Sequence, residues 1–135
     1  MPIPEHALAE MIAAAKAASA LAHCPYSKFR VGAAVLTSDG EIVAGCNVEN
    51  ASYGLTICAE RNATFAAIAR GKTKLGAVVV FTPTVTPTAP CGACRQVLNE
   101  FGPDAEVFCV CNGADMIRTT VAALLPEAFG PGNLF

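Results

Sequence analysis

Charged side chains are scarce in this chain. Asp, Glu, Lys and Arg make up 15% of its 135 residues against 53% hydrophobic, where soluble chains carry about 25% charged residues. So little charge leaves apolar surface uncovered, and a small domain covers it most readily by self-association. An excess of basic residues is also missing: nine Lys and Arg against eleven Asp and Glu give a net charge of −2. Nucleic acids are held by clustered cations that neutralise phosphates, so this balance argues against a polynucleotide partner and favours a small uncharged one. No apolar run approaches the ~20 residues of a membrane helix. The N-terminus lacks the basic start and long apolar stretch of a secretion signal, and the expected compartment is the cytoplasm.

Cysteine, by contrast, is plentiful. Seven is an odd count without secretory context, which disfavours a disulfide framework and points to thiols used for metal or packing. Histidine offers little competition as a ligand: His6 and His23 are the two present, and both lie far from the cysteine motifs.

Length fits one domain over residues 1–135. Apolar residues recur at helical spacing through Leu8, Met11, Ile12 and Ala15, predicting a helix over residues 4–22 that ends before Pro25. Val31–Leu36 and Glu41–Cys46 flank Asp39-Gly40 and read as a hairpin. A polar stretch, Asn47–Thr56, leads into a helix that starts around Cys58 and runs to Arg70, with its stop at Gly71. Ala77–Phe81 is apolar without alternation, a strand covered on both faces. After a Thr/Pro-rich loop, Cys91, Cys94, Val97, Leu98 and Phe101 share one helical stripe. Strands over Val107–Cys111 and Met116–Arg118 and a last helix after Thr120 follow. The order predicts an α/β fold, a three-layer α/β/α sandwich around a mixed sheet of about five strands.

Cys-x-x-Cys at a helix start puts two sulfurs one turn apart facing one ion, and the unpaired N–H groups there favour thiolates. Cys91 and Cys94 fit that pattern, and Cys58 is placed similarly on the other helix. Three ligands leave a fourth zinc position for water, as in catalytic sites. Glu60, two residues beyond Cys58, is then placed to move protons. Other readings stand beside this one: a redox pair at Cys91/Cys94, a buried packing role for Cys94, and a closed structural site recruiting Cys46, Cys109 or Cys111.

Cys58-Ala59-Glu60-Arg61 with Pro90-Cys91-Gly92-Ala93-Cys94-Arg95-Gln96-Val97-Leu98 resembles the zinc-dependent cytidine deaminases. So do Pro25-Tyr26-Ser27-Lys28-Phe29, Val31-Gly32-Ala33-Ala34, the stretch from Gly45 to Gly54, and Leu124-Leu125-Pro126. Cysteine at position 58 and the short chain are similar to the homotetrameric branch. The resemblance implies hydrolytic deamination of cytidine and deoxycytidine with one Zn2+ per subunit on Cys58, Cys91 and Cys94, and Glu60 as proton shuttle. It implies Phe29 against the pyrimidine, Asn47 and Glu49 at the ribose, and the backbone of Ala59 at the base. Tyr53 and Phe129 would lie where neighbouring subunits complete each other's sites. Arg61 and Arg95 are candidates to offset thiolate charge. Ala89 stands where relatives often carry Ser or Thr, at a position whose backbone carbonyl would face the departing ammonia. Rival functions are a deaminase of a cytosine-containing antibiotic such as blasticidin S, against which Asn47-Val48-Glu49-Asn50 favours a ribose, and a non-catalytic zinc module.

Overall fold

In a computed structural model, which describes residues 3–134, one five-stranded mixed sheet is sandwiched between helices. The elements run α1 (Glu5–Ser19), β1 (Gly32–Thr37), β2 (Ile42–Cys46), α2 (Ala59–Ala69), β3 (Leu75–Phe81), α3 (Gly92–Phe101), β4 (Glu106–Val110), β5 (Ile117–Thr120) and α4 (Val121–Leu124), with 3-10 turns at Tyr53–Leu55 and Pro131–Asn133. Strand order is β2-β1-β3-β4-β5. β3 and β4 pair in parallel, joined through α3, and the other neighbours are antiparallel. Among the described residues, no helix is long and apolar enough to cross a membrane.

Strand alternation divides the core in two. Ala34, Ala77, Val79, Phe81, Phe108 and Val110 pack with Met11 and Ala15 of α1 on one face. Ala33, Val35, Val43, Val78, Val80, Val107 and Cys109 pack with Ala59, Ala63, Ala67 and Leu98 of α2 and α3 on the other. β3 contributes to both clusters, which is why its sequence shows no polar alternation. Cys109 is a buried thiol within the α2/α3 cluster, and its packing explains it without a ligand role.

Several elements depart from the expected bounds: β1 and β4 are shifted by one residue, β2 starts one residue later, β3 starts at Leu75 in place of Ala77, and α1 and β5 also differ. α1 stops at Ser19, three residues short of residue 22, because the chain tightens into a turn, with Leu21 N–H donating to Ala18 O and Ala22 N–H to Ser19 O. Arg30 Nη1 then takes the carbonyls of Ala20 (3.2 Å) and Ala22 (2.8 Å), supplying donors that a longer helix would have supplied itself. β5 is Ile117–Thr120 and begins one residue after Met116; the Thr120 side chain accepts from Ala123 N–H and so opens α4.

The helices seat on the sheet through glycine. A Cβ on Gly45 of β2 would come within 2.4 Å of Ala63 N in α2, and one on Gly32 of β1 within 1.8 Å of Ala15 O in α1. α2 therefore rides directly on the β2 backbone, and that fixes where its first residues point. Gly45→Ala forces the two apart at an overpacking cost of about 1–3 kcal/mol. We expect its thermal midpoint to fall by about 3–10 °C in calorimetry at fixed protein concentration; an unchanged midpoint would contradict this close seating.

Candidate metal centre and its cleft

α2 and α3 lie on the same sheet face, and their N-termini converge. Cys58 is the N-cap of α2 and Cys91 the N-cap of α3, both with extended backbone and neither using its side chain to cap the helix. Their sulfurs are therefore free to turn outward from the helix ends. Cys94, one turn into α3, is buried. Cys58 Sγ lies 3.8 Å from Cys91 Sγ, and Cys91 Sγ 3.5 Å from Cys94 Sγ. Sulfurs held 2.3 Å from a tetrahedral ion stand about 3.8 Å apart, close to both distances, and all three sulfurs lie within 4.8 Å of one another, so the triad fits zinc. All seven cysteines are free thiols. Among the described residues, no histidine and none of Cys46, Cys109 or Cys111 joins the cluster, so a closed site with four thiolates is not formed.

The electrostatics favour thiolate at this point. Hydrogen bonds from Cys94, then Arg61 and Cys91, hold the Cys58 thiol down at about 5. Cys94, as donor to Cys58 and by its burial, is pushed well up, so the first negative charge of the cluster settles on Cys58. Arg61 Nη2 stands 3.4 Å from Cys58 Sγ, and its Nε is buried with no hydrogen-bond partner. Arg95 behaves differently. Its Nε and Nη1 donate to the carbonyls of Pro90 (2.8 Å) and Leu124 (3.0 Å), so it clamps backbone on both sides of α3 and makes no hydrogen bond to sulfur.

Glu60 is at the second position of α2 and only 5% exposed. Burial pushes its carboxyl up, and the nearby Cys58 adds to the rise. It forms part of a cleft of about 240 Å³ together with Cys58, Ala59 and Cys91. Phe29, Val31, Asn47, Glu49, Ser27 and Thr56 also line this cleft, as do Val80, Thr82, Thr88 and Ala89. Of these the sequence marks Ala89 but not Ser27, Val31, Thr56, Val80, Thr82 or Thr88, because no local pattern shows which side chains the fold gathers at one cleft.

The cleft-lining polar residues are already busy. Asn47 is buried, its Nδ2 donating to Phe29 O (2.7 Å) and its Oδ1 accepting from Val31 N–H (2.9 Å). One amide hydrogen and one lone pair remain. Glu49 Oε1 accepts from the N–H groups of Tyr26 (3.0 Å) and Ser27 (3.1 Å), and Oε2 from Ser27 Oγ. The Ser27 hydroxyl first, then these N–H groups, hold the Glu49 carboxyl below its usual range, so it is an anion at neutral pH. Tyr53 and Phe129 do not line this cleft. Tyr53 is 73% exposed with its ring 5.6 Å from that of Tyr26, and Phe129 is 58% exposed with its carbonyl accepting from Gln96 and Asn99.

A metal-fitting thiol triad at two helix starts, with a buried acid beside it in a cleft, is the arrangement of a catalytic zinc site in a hydrolytic enzyme. Comparison with known proteins then gives the family. Residues 5–111 match the model of the cytidine and deoxycytidylate deaminase zinc-binding region. A cytidine deaminase of Sporosarcina psychrophila is 47% identical over 126 residues, covering 93% of each chain. The crystal structure of a cytidine deaminase from Burkholderia pseudomallei superposes with a TM-score of 0.87 at 49% identity, covering 94% of this chain and all of that one. A blasticidin-S deaminase of Bacillus cereus is more distant, 30% identical over 108 residues and covering 74% of this chain and 76% of its own. The chain belongs to the cytidine deaminase family, and its cofactor is zinc.

Replacing Cys58, Cys91 or Cys94 by Ala removes one of three thiolates, and zinc content should fall at least about tenfold. Elemental analysis of protein with unchanged far-UV dichroism measures this. Retention of about one ion per chain by any variant would remove that thiol from the site.

Proposed function

We propose that this chain hydrolyses cytidine and deoxycytidine to uridine and deoxyuridine with release of ammonia, as one catalytic domain in the cytoplasm. The observation that carries the residue assignment is the buried Glu60 carboxyl beside Cys58, Cys91 and Cys94 in a cleft also lined by Phe29, Asn47 and Glu49.

Cys58, Cys91 and Cys94 hold the ion, which when bound supplies the Lewis acidity that makes water a nucleophile near neutral pH. Three thiolates outweigh a divalent ion by one negative charge, and the Arg61 guanidinium against Cys58 offsets it. The proton traffic belongs to Glu60. As carboxylate it takes a proton from the water that attacks C4 and gives it to ring N3. It then takes the remaining hydroxyl proton and gives it to the amino group, so that the C–N bond breaks and ammonia leaves. Its raised pKa suits both duties, because an acid and base that must act in turn works best with a pKa close to the working pH.

Phe29, 40% exposed, offers a ring face to the pyrimidine. The remaining valences of Asn47 and the ionised Glu49 suit ribose hydroxyls, and backbone at Ala59 meets the base. Tyr53 and Phe129 leave their own cleft and present exposed rings, which supports a homotetramer in which neighbouring copies complete each site. The net charge of −2 supports a nucleoside in preference to a nucleic acid.

Glu60→Gln keeps shape and removes the base. Deamination followed by absorbance should fall about 10²- to 10⁴-fold with zinc retained, and near-normal turnover would sink the mechanism. Wild-type protein assayed on cytidine, deoxycytidine, CMP and blasticidin S should convert the two nucleosides best; conversion of CMP alone, or of blasticidin S in preference, overturns the substrate. Phe129→Ala should raise KM or weaken the assembly seen by light scattering, and no effect on either would remove Phe129 from an intersubunit site.

A further inference from the structure

Residues 82–90, Thr-Pro-Thr-Val-Thr-Pro-Thr-Ala-Pro, connect the end of β3 to Cys91. Pro83, Pro87 and Pro90 have no N–H, so this loop has few backbone donors with which to fasten itself. Its outer anchors come from elsewhere: Thr82 N–H donates to Val110 O at 3.1 Å, Asn112 N–H to Thr84 O at 2.9 Å, and Arg95 Nε to Pro90 O at 2.8 Å. Between the anchors, hydroxyls replace the missing amides. Thr82 Oγ1 lies 2.7 Å from Thr84 Oγ1 and 3.5 Å from Thr88 Oγ1, and Thr84 Oγ1 lies 2.6 Å from Thr86 O.

The direction of the short contact follows from counting hydrogens. A hydroxyl has one, and a carbonyl can only accept. Thr84 therefore spends its hydrogen on Thr86 O, the hydrogen between Thr82 and Thr84 is Thr82's, and the longer 3.5 Å contact takes its hydrogen from Thr88. Thr82 is 1% exposed, so its own hydroxyl has almost no access to bulk water and keeps its full desolvation cost if left without a partner. Thr88 is exposed, with a hydroxyl next to Thr82 and no other hydroxyl to hold it. Thr82, Thr88, Ala89 and Cys91 all line the cleft that contains Glu60.

We infer that Thr82 is a positioning residue for deamination: its hydroxyl, through Thr84 and Thr88, sets the Thr88–Ala89 wall of the cleft beside Glu60. The inference rests on the function proposed above. The Asn47 and Glu49 side chains hang from a different segment and Arg95 holds Pro90 next to Cys91, so loss of the Thr82 hydroxyl displaces the Thr88–Ala89 wall and leaves the metal ligand and the Asn47/Glu49 segment in place. The signature is a fall in kcat with little change in KM.

Thr82→Val keeps the shape and removes the hydroxyl, while Thr82→Ser keeps the hydroxyl and removes the methyl. On cytidine, Thr82→Val should lose about tenfold in kcat with KM within about threefold, and Thr82→Ser should stay within about twofold of wild type in both. Zinc content should stay at about one per chain. Thr84→Val, which removes the acceptor from a half-buried site, should reproduce the kcat loss, and the double variant should be no worse than either single one. It also carries the test if Thr82→Val does not fold. Unchanged kcat in Thr82→Val, equal losses in the Val and Ser variants, or additive losses in the double variant would overturn the inference. Inactivity of the wild type on cytidine would instead overturn the proposed function.

Discussion

Everything functional in this molecule depends on two helix starts pointing at one place. A helix N-terminus is the part of a helix with spare donors and partial positive charge, and it stabilises an anion only within its first turn. α2 and α3 each bring one such terminus, and Cys58 and Cys91 stand at the two caps with sulfurs 3.8 Å apart. Meeting at that distance requires both helices on the same sheet face at a set height. The sheet supplies this with Gly45 beneath α2 and with the parallel β3–β4 pair that brackets α3. Side chains on two segments 33 residues apart thereby become one chemical group.

The thiols and the acid are opposed demands on the same few ångströms. Thiolates want positive potential; a proton carrier wants its carboxyl kept from ionising too readily. Arg61 and the helix ends answer the first, and burial of Glu60 answers the second. Both side chains sit in the first turn of α2, on successive residues, and successive residues in a helix face about 100° apart. One turn of helix thus presents a cation to the sulfur and an acid to the cleft.

What could be read in advance was whatever is local. Cys-x-x-Cys, Cys-x-Glu and the stripe through Leu98 are short-range patterns, and the helices, the five strands and the metal triad followed from them. The Asp39-Gly40 hairpin did as well. The end of α1 carries no local sign, since Arg30, ten residues beyond Ala20, takes the Ala20 carbonyl. Arg95 carried no local sign that its hydrogen-bond partners would be the carbonyls of Pro90 and Leu124. Thr82 and Thr88 looked like ordinary members of a Thr/Pro-rich loop, since their meaning lies in a cleft shared with α2. For Asn47, Glu49 and Phe29 the resemblance implies a place at the site, whereas the bonds of Asn47 and Glu49 to the 26–31 backbone are visible only in the folded geometry.

Those bonds bear on how such a protein can change over time. Asn47 and Glu49 hold the chain from Tyr26 to Val31 with most of their polar valences and offer the cleft only the remainder. A mutation that altered what the cleft admits at these two positions would also have to find a new conformation for that segment. Selection for a different ligand therefore meets less resistance at residues such as Phe29 or Ala89, whose side chains line the same cleft without hydrogen-bonding another segment. New specificities in such a lineage should be sought first among those residues, with Asn47 and Glu49 the slowest to diverge.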